Sequence, residues 1–321
     1  MGSTRPKISV IMPAYNTAKL IAASLDSALQ QSFPDFEIIV VNDGSPDTAE
    51  LDEVLAPYLQ KIVYIKQQNK RAAGARNTAI RQAQGEFLAF LDSDDIWFPD
   101  HLRSQMELFA EDPALGLVYC NCFAFADPNR NDTFMDRCPS QGLATFNALI
   151  VEHCQIPIST VVARKSAIVK AGLFDEDLPR CDDYDMWIRT AFHGAKIAYS
   201  RKVQARLNDG RPGSLGVSDA KMAEANWVIL EKAKNTLPLT ALDREIVTTR
   251  SAEIRARYLV EEGKVYLSKM QFAEAKKMFS QANAYLRKPK LRVVLLGLKI
   301  APRTTSKLVS FARRISSRQA A

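Results

Sequence analysis

Phe87-Leu88-Ala89-Phe90-Leu91-Asp92-Ser93-Asp94-Asp95-Ile96-Trp97 is an apolar run with three carboxylates crowded at its carboxyl end. Its length and composition suit a buried strand. In open α/β sheets, ligands gather at the carboxyl ends of parallel strands. Like charges packed there are unfavourable unless something positive neutralises them. A hard divalent cation that also carries phosphate oxygens is one such partner. A solvated turn that caps the next helix is the other reading, and this segment alone leaves both open.

Working outward, strand-like and helix-like periods alternate. Ile8-Ser9-Val10-Ile11-Met12 reads as a strand stopped by Pro13, and residues 19–31 show helical spacing through Leu20, Ile21, Leu25 and Leu29. Glu37-Ile38-Ile39-Val40-Val41 is a second strand, broken by Asn42-Asp43-Gly44-Ser45. Ile62 to Ile65 is a third, and 72–83 is a helix leading into the strand at Phe87. Strands alternating with helices of about a dozen residues imply a mostly parallel sheet with right-handed crossovers. From 115 to 210 the pattern is less regular. Residues 117–120 and 159–163 read as strands, 165–171 and 183–193 as helices, and 205–216 as a loop or lid.

Beyond Ser218 the chain reads as nearly continuous helix: 219–233, 239–261, 263–269 and 272–286. Gly263, Tyr266, Ala275, Phe279 and Ala282 have tetratricopeptide-like spacing, with small residues where two helices approach. This suggests a division into 1–218, a helical region 219–288, and a tail 289–321.

A hydrophobic content of 47% supports a real core. No acidic residue follows Glu274, whereas twelve Lys and Arg do, so the net charge of +7 belongs to the tail and the first 274 residues are net acidic. That argues against a nucleic-acid-binding body. Leu308, Val309, Phe311, Ala312 and Ile315 alternate with basic residues, so the tail either lies on an anionic membrane or is a solvated helix. Five cysteines without a CxxC pair, and no secretory signal, favour reduced thiols and a cytoplasmic location, with the tail peripheral on the inner face of the plasma membrane if it binds lipid.

Four segments carry the candidate chemistry: Pro13-Ala14-Tyr15-Asn16, Asn42-Asp43-Gly44-Ser45, Asp92-Ser93-Asp94-Asp95, and Cys181-Asp182-Asp183-Tyr184-Asp185-Met186-Trp187. In order and spacing, ISVIMPAYN, EIIVVNDGSPD, AAGARNTAIRQAQGEFLAFLDSDDIWFPDHL, GLFDE and DDYDMWIR resemble family 2 glycosyltransferases of the GT-A fold over about residues 6–217. The resemblance implies a mostly parallel sheet flanked by helices, here with a C-terminal helical extension. It implies inverting transfer of a sugar from a nucleotide diphosphate donor, usually UDP-linked, to a glycan, lipid-linked or small acceptor.

By the same resemblance, Asp43 accepts from the uracil imide, with Pro13 and Tyr15 beside the base, and Arg76 approaches the diphosphate. Asp92-Ser93-Asp94 matches the DXD motif: Asp92 lies near the ribose and Asp94 holds Mg²⁺ or Mn²⁺, with Asp95 sharing or taking over that role. Asp183 matches the general base. Asp182 stands where relatives often have Glu, and Asp182 and Trp187 are acceptor-side candidates, although core packing is the simpler account of Trp187. Many relatives carry a His in the loop after the base. None of His101, His153 and His193 falls there, so Arg206 or Arg211 is the candidate to answer the diphosphate charge. The alternative to an active enzyme is a weakly catalytic, nucleotide-sugar-binding or scaffold protein acting through its helical region.

Overall fold

The structure is a computed structural model and describes residues 5–123, 132–208 and 219–309. It divides into two compact units, 1–214 and 215–321.

The first unit is built on a mixed sheet. Its strands are β1 (Ile8–Ala14), β2 (Phe36–Asp43), β3 (Val63–Gln67), β4 (Phe87–Phe90), β5 (Ile96–Trp97), β6 (Leu115–Phe123), β7 (Val161–Arg164) and β8 (Lys196–Arg206). The spatial order is β3-β2-β1-β4-β7-β6-β8-β5. β1 pairs in parallel with β2 and β4, and β2 with β3, so their carboxyl ends share one rim. β7 runs antiparallel to β4, with Val162 opposite Ala89. This reversal carries the residues just before β7 to the same rim.

Helices α1 (Ile21–Leu29), α2 (Thr48–Leu55), α3 (Arg71–Gln82), α4 (His101–Glu111), α5 (Phe134–Arg137), α6 (Phe146–Ile150), α7 (Lys165–Lys170) and α8 (Asp182–Phe192) complete the unit. The period of two along β1 decides what packs where. Ile8, Val10, Met12 and Ala14 join Leu25 of α1, Leu51 of α2 and Leu102 of α4 in one core. Alternate positions serve the opposite face, where Phe90 meets Phe174 and Trp187 of α8 edge to face.

Several expectations need correction. Pro13 does not stop β1, which continues to Ala14 with Pro13 opposite Val41. Pairing with β4 ends at Ile11, so the N–H that Pro13 lacks has no ladder partner to lose. Residues 159 and 160 form a 3₁₀ turn before β7 rather than strand. β8 is an eleven-residue strand that periodicity missed, because its exposed and buried positions do not alternate cleanly. It absorbs Ala205 and Arg206 from the expected loop, and the part of that loop from 209 to 216 lies outside the described residues.

The second unit contains α9 (Asp219–Thr236), α10 (Ala241–Ser268), α11 (Phe272–Leu286) and α12 (Pro289–Ile300). The two helices expected across 239–269 are one. Gly263 lies inside α10, where glycine is unfavourable by about 1 kcal/mol relative to Ala. A Cβ there would stand 2.7 Å from the Phe279 ring, so the close approach of α10 and α11 requires the glycine. Leu267, Ala275, Phe279 and Ala282 form this unit's core together with Leu291 and Leu298. Residues 289–300 therefore pack with the helical region from which the sequence set them apart.

Candidate active site

The acidic turn after β4 alternates in burial. Asp92 and Asp94 are partly exposed, whereas Ser93 and Asp95 are buried. Ser93 Oγ donates to Thr17 Oγ1 at 3.0 Å, tying this turn to the loop after β1. Ser159 organises the other side: its hydroxyl accepts from the Asp92 N–H and donates to Asp95 Oδ2, while its carbonyl accepts from Trp97 Nε1. The second Asp95 oxygen accepts from the Asn208 N–H at 2.8 Å. Burial, then the charges of Asp92 and Asp94, push the Asp95 carboxyl well above the usual carboxylate range. Asp95 is thus an internal anchor for the chain leaving β8, and of the two metal candidates only Asp94 keeps exposure to solvent.

At the rim of β1 and β2, Tyr15 is 51% exposed, beside Pro13 at the strand's end. Asn16 has a φ of 54°, and its N–H donates to Ser45 Oγ at 2.6 Å. Asp43 is buried, and its Oδ1 accepts from Gln67 Nε2 and from the Lys70 N–H, which leaves Oδ2 outside these bonds. Gly44, with a φ of 64°, brings its backbone so near that an added Cβ would lie 2.8 Å from the Asn69 nitrogen. Gln67, Lys70 and Ser159 support candidate residues, yet no motif marks them. They emerge only from the strand pairing.

Arg76, expected near the diphosphate, is engaged by two carboxylates of the protein itself. Arg76 of α3 is buried, with Nη2 on Asp92 Oδ1 at 2.7 Å and Nη1 on Asp182 Oδ2 at 2.6 Å. Its guanidinium also lies 5.6 Å from the Phe174 ring. Burial alone would favour its neutral form, but the charges of Asp92 and Asp182 outweigh this and hold it protonated. One side chain therefore straps the acidic turn to the start of α8.

That first turn of α8 holds three carboxylates. Asp182 is held by Arg76 and Asp185 by Arg189. Asp183 accepts the Tyr184 N–H at 2.8 Å, and among the described residues no side chain bonds to it. A helix N-terminus favours a carboxylate. Here burial, then the Asp182 charge, prevails over Arg76 and the Tyr184 N–H and pushes Asp183 up to about 6. It keeps partial exposure to solvent. A carboxylate that is unsupported by side chains, partly accessible and titrating near 6 has the attributes of a general base.

The two acceptor-side candidates also have partners within the protein. Trp187 is 1% exposed, packed on Phe90 and Phe174, with Nε1 donating to the Ile156 carbonyl, so it belongs to the core. Asp182 is committed to Arg76. Arg206 is exposed at the end of β8, with its guanidinium 5.5 Å from the Phe123 ring. Arg211 lies outside the described residues. His101 is wholly buried and stacked on Trp97, and burial depresses it to about 3, in keeping with a structural role.

Among the described residues, no three His, Cys, Asp or Glu side chains are grouped to hold a metal by themselves. Mg²⁺ characteristically uses one or two carboxylates together with substrate phosphates. The like charges that raise Asp95 show that the turn carries negative charge a cation would relieve. The donor set therefore fits a divalent ion that arrives with a phosphate ligand.

The model of glycosyl transferase family 2 matches residues 9–167. The UDP-Glc:alpha-D-GlcNAc-diphosphoundecaprenol beta-1,3-glucosyltransferase WfgD of Escherichia coli is 30% identical over 181 residues, covering 56% of this chain and 68% of WfgD. Among solved structures, S. aureus TarS 1-349 in complex with UDP-GlcNAc superposes with a TM-score of 0.62 at 20% identity, covering 97% of this chain and 92% of that one. The mannosyltransferase PcManGT from Pyrobaculum calidifontis, in complex with GDP-Man and Mn²⁺, gives 0.63 at 21%, covering 96% and 85%. With these matches and this geometry, the chain belongs to glycosyl transferase family 2 and is a glycosyltransferase of the GT-A fold.

Proposed function

We propose that this glycosyltransferase moves a sugar from a nucleotide diphosphate donor, UDP-linked, to a hydroxyl of a glycan, lipid-linked or small acceptor, with inversion. The observation that carries this reading is the Arg76 strap: it joins the turn suited to a diphosphate to the turn bearing an isolated, up-shifted carboxylate. Leaving-group chemistry and proton removal thereby fall in one site. Structural neighbours that hold UDP-GlcNAc and GDP-Man support a nucleotide-sugar donor.

In this reading the base lies beside Tyr15, with Asp43 Oδ2 accepting from its imide. Asp94 holds a divalent cation, Mg²⁺ or Mn²⁺, which when bound offsets negative charge on the departing diphosphate. No acid is then needed on that side. Asp183 accepts the acceptor hydroxyl's proton as the oxygen attacks the anomeric carbon from the face opposite the diphosphate. The Mn²⁺ in the PcManGT complex supports a divalent ion. WfgD, named for a diphosphoundecaprenol acceptor, supports the lipid-linked class.

The purified protein is expected to release UDP from a UDP-sugar in the presence of Mg²⁺ or Mn²⁺, and EDTA is expected to stop it. Asp94→Asn should lower turnover by roughly 10²–10³-fold, the usual loss when a group stabilising transition-state charge is removed. A panel of nucleotide sugars assayed for donor hydrolysis identifies the sugar. EDTA-resistant turnover would refute the metal assignment, and no nucleotide release from any donor would refute the donor class.

A further inference from the structure

We infer that the outer face of α12 docks on an anionic lipid bilayer. α12 has two apolar faces, and among the described residues only one of them is packed into a core. Leu291 and Leu298, seven residues apart, are buried in the core of the helical unit. On the opposite side Val293, Leu296 and Ile300 follow at i, i+3 and i+7, and they are 70%, 59% and 73% exposed. At 100° per residue these three share one stripe, with Arg292 and Lys299 along one edge and Lys290 along the other. All three cations are exposed.

Three large aliphatic side chains in a row on a helix face are unfavourable in water, and their basic borders select the occupant. A neutral protein groove would not need the cations, whereas an anionic headgroup layer uses both features: apolar side chains sink below the headgroups while Lys and Arg stay among them. No Asp or Glu occurs in the sequence after Glu274, so no acidic side chain of α12 itself offsets these cations. Among the described residues no helix is long and apolar enough to cross a membrane, which leaves a surface-lying geometry for this face. The docking is independent of the donor and acceptor assigned above.

The test is sedimentation of the full chain with vesicles of phosphatidylcholine alone and of phosphatidylcholine mixed with phosphatidylglycerol. Binding to the mixed vesicles, weakened by salt, is expected. Each basic residue near the surface is worth about 1 kcal/mol, so Arg292→Glu with Lys299→Glu should lower partitioning by more than roughly 25-fold. Leu296→Glu with Ile300→Glu should lower it by at least about tenfold, as two aliphatic anchors are lost. Neither pair should move the thermal midpoint or donor hydrolysis in solution, since all four side chains are exposed. Failure to bind, equal binding to both vesicles, or binding untouched by either pair overturns the proposal. So does sedimentation velocity showing that this face is already covered by a second copy, with the Leu296/Ile300 variant monomeric.

Discussion

Replacing Asp183 by Asn is expected to leave donor binding intact and to lower the transfer rate by roughly 10²–10⁴-fold, the span that general-base catalysis contributes. The amide has the size of the carboxylate, and its oxygen still accepts the Tyr184 N–H that Asp183 Oδ1 holds. What it lacks is the ability to take a proton. The wild-type pH profile follows from the same carboxylate. The proposed base would work only when ionised, and burial pushes its carboxyl up to about 6. kcat/KM should therefore rise tenfold per pH unit below that value and level off above it. In Asp183→Asn the residual rate should lose this acidic limb while UDP affinity, measured calorimetrically, stays unchanged. A variant that retains most of the wild-type rate would show that another group removes the proton.

How much of this was legible beforehand depended on whether a residue's role is local. Strands β1, β2 and β4 are readable because a buried central strand needs a nearly continuous apolar run: Ile38 to Val41 and Phe87 to Leu91 are unbroken, and Ile8 to Met12 is interrupted only by Ser9. β8 was not, because it mixes charged and apolar positions. The motif residues are legible as residue types, but their partners within the protein are not. Arg76 carries a cation, which alone suggests an anion nearby. That the anions are Asp92 and Asp182 follows only from α3 packing between them, sixteen and 106 residues away in sequence. Ser159 left no trace in its segment, since a serine before a strand is ordinary. It matters because β7 runs antiparallel and delivers it to the acidic turn. Trp187 shows the converse: an aromatic four residues from the candidate base invites a binding role, whereas what the fold gives it is a packing role against Phe90.

Arg76→Met is expected to damage stability and catalysis together, in ways that can be separated. Asp182 is buried and Asp92 only partly exposed, so removing their shared cation leaves one carboxylate with little solvent to replace it. Breaking a buried pair from one side is unfavourable by about 3–5 kcal/mol. Solvent reaching Asp92 argues for the lower end, and at 2–4 °C per kcal/mol for a unit of this size the thermal midpoint should fall by roughly 6–12 °C. Arg76 also draws the Asp183 carboxyl down, against burial and Asp182. Its loss should move the acidic limb of kcat/KM above 6, because less positive charge remains to favour the ionised base. Arg76→Met with Asp182→Asn distinguishes the two effects. Neutralising Asp182 removes the stranded charge and should restore most of the midpoint. It also removes the like charge that raises Asp183, so the limb should move back toward its wild-type position. Arg76→Lys should restore neither fully, since a single ammonium cannot reproduce a planar fork that grips two carboxylates from different elements. If the double variant instead melts as low as Arg76→Met, the strap stabilises through its packing on Phe174 rather than through the charges it joins.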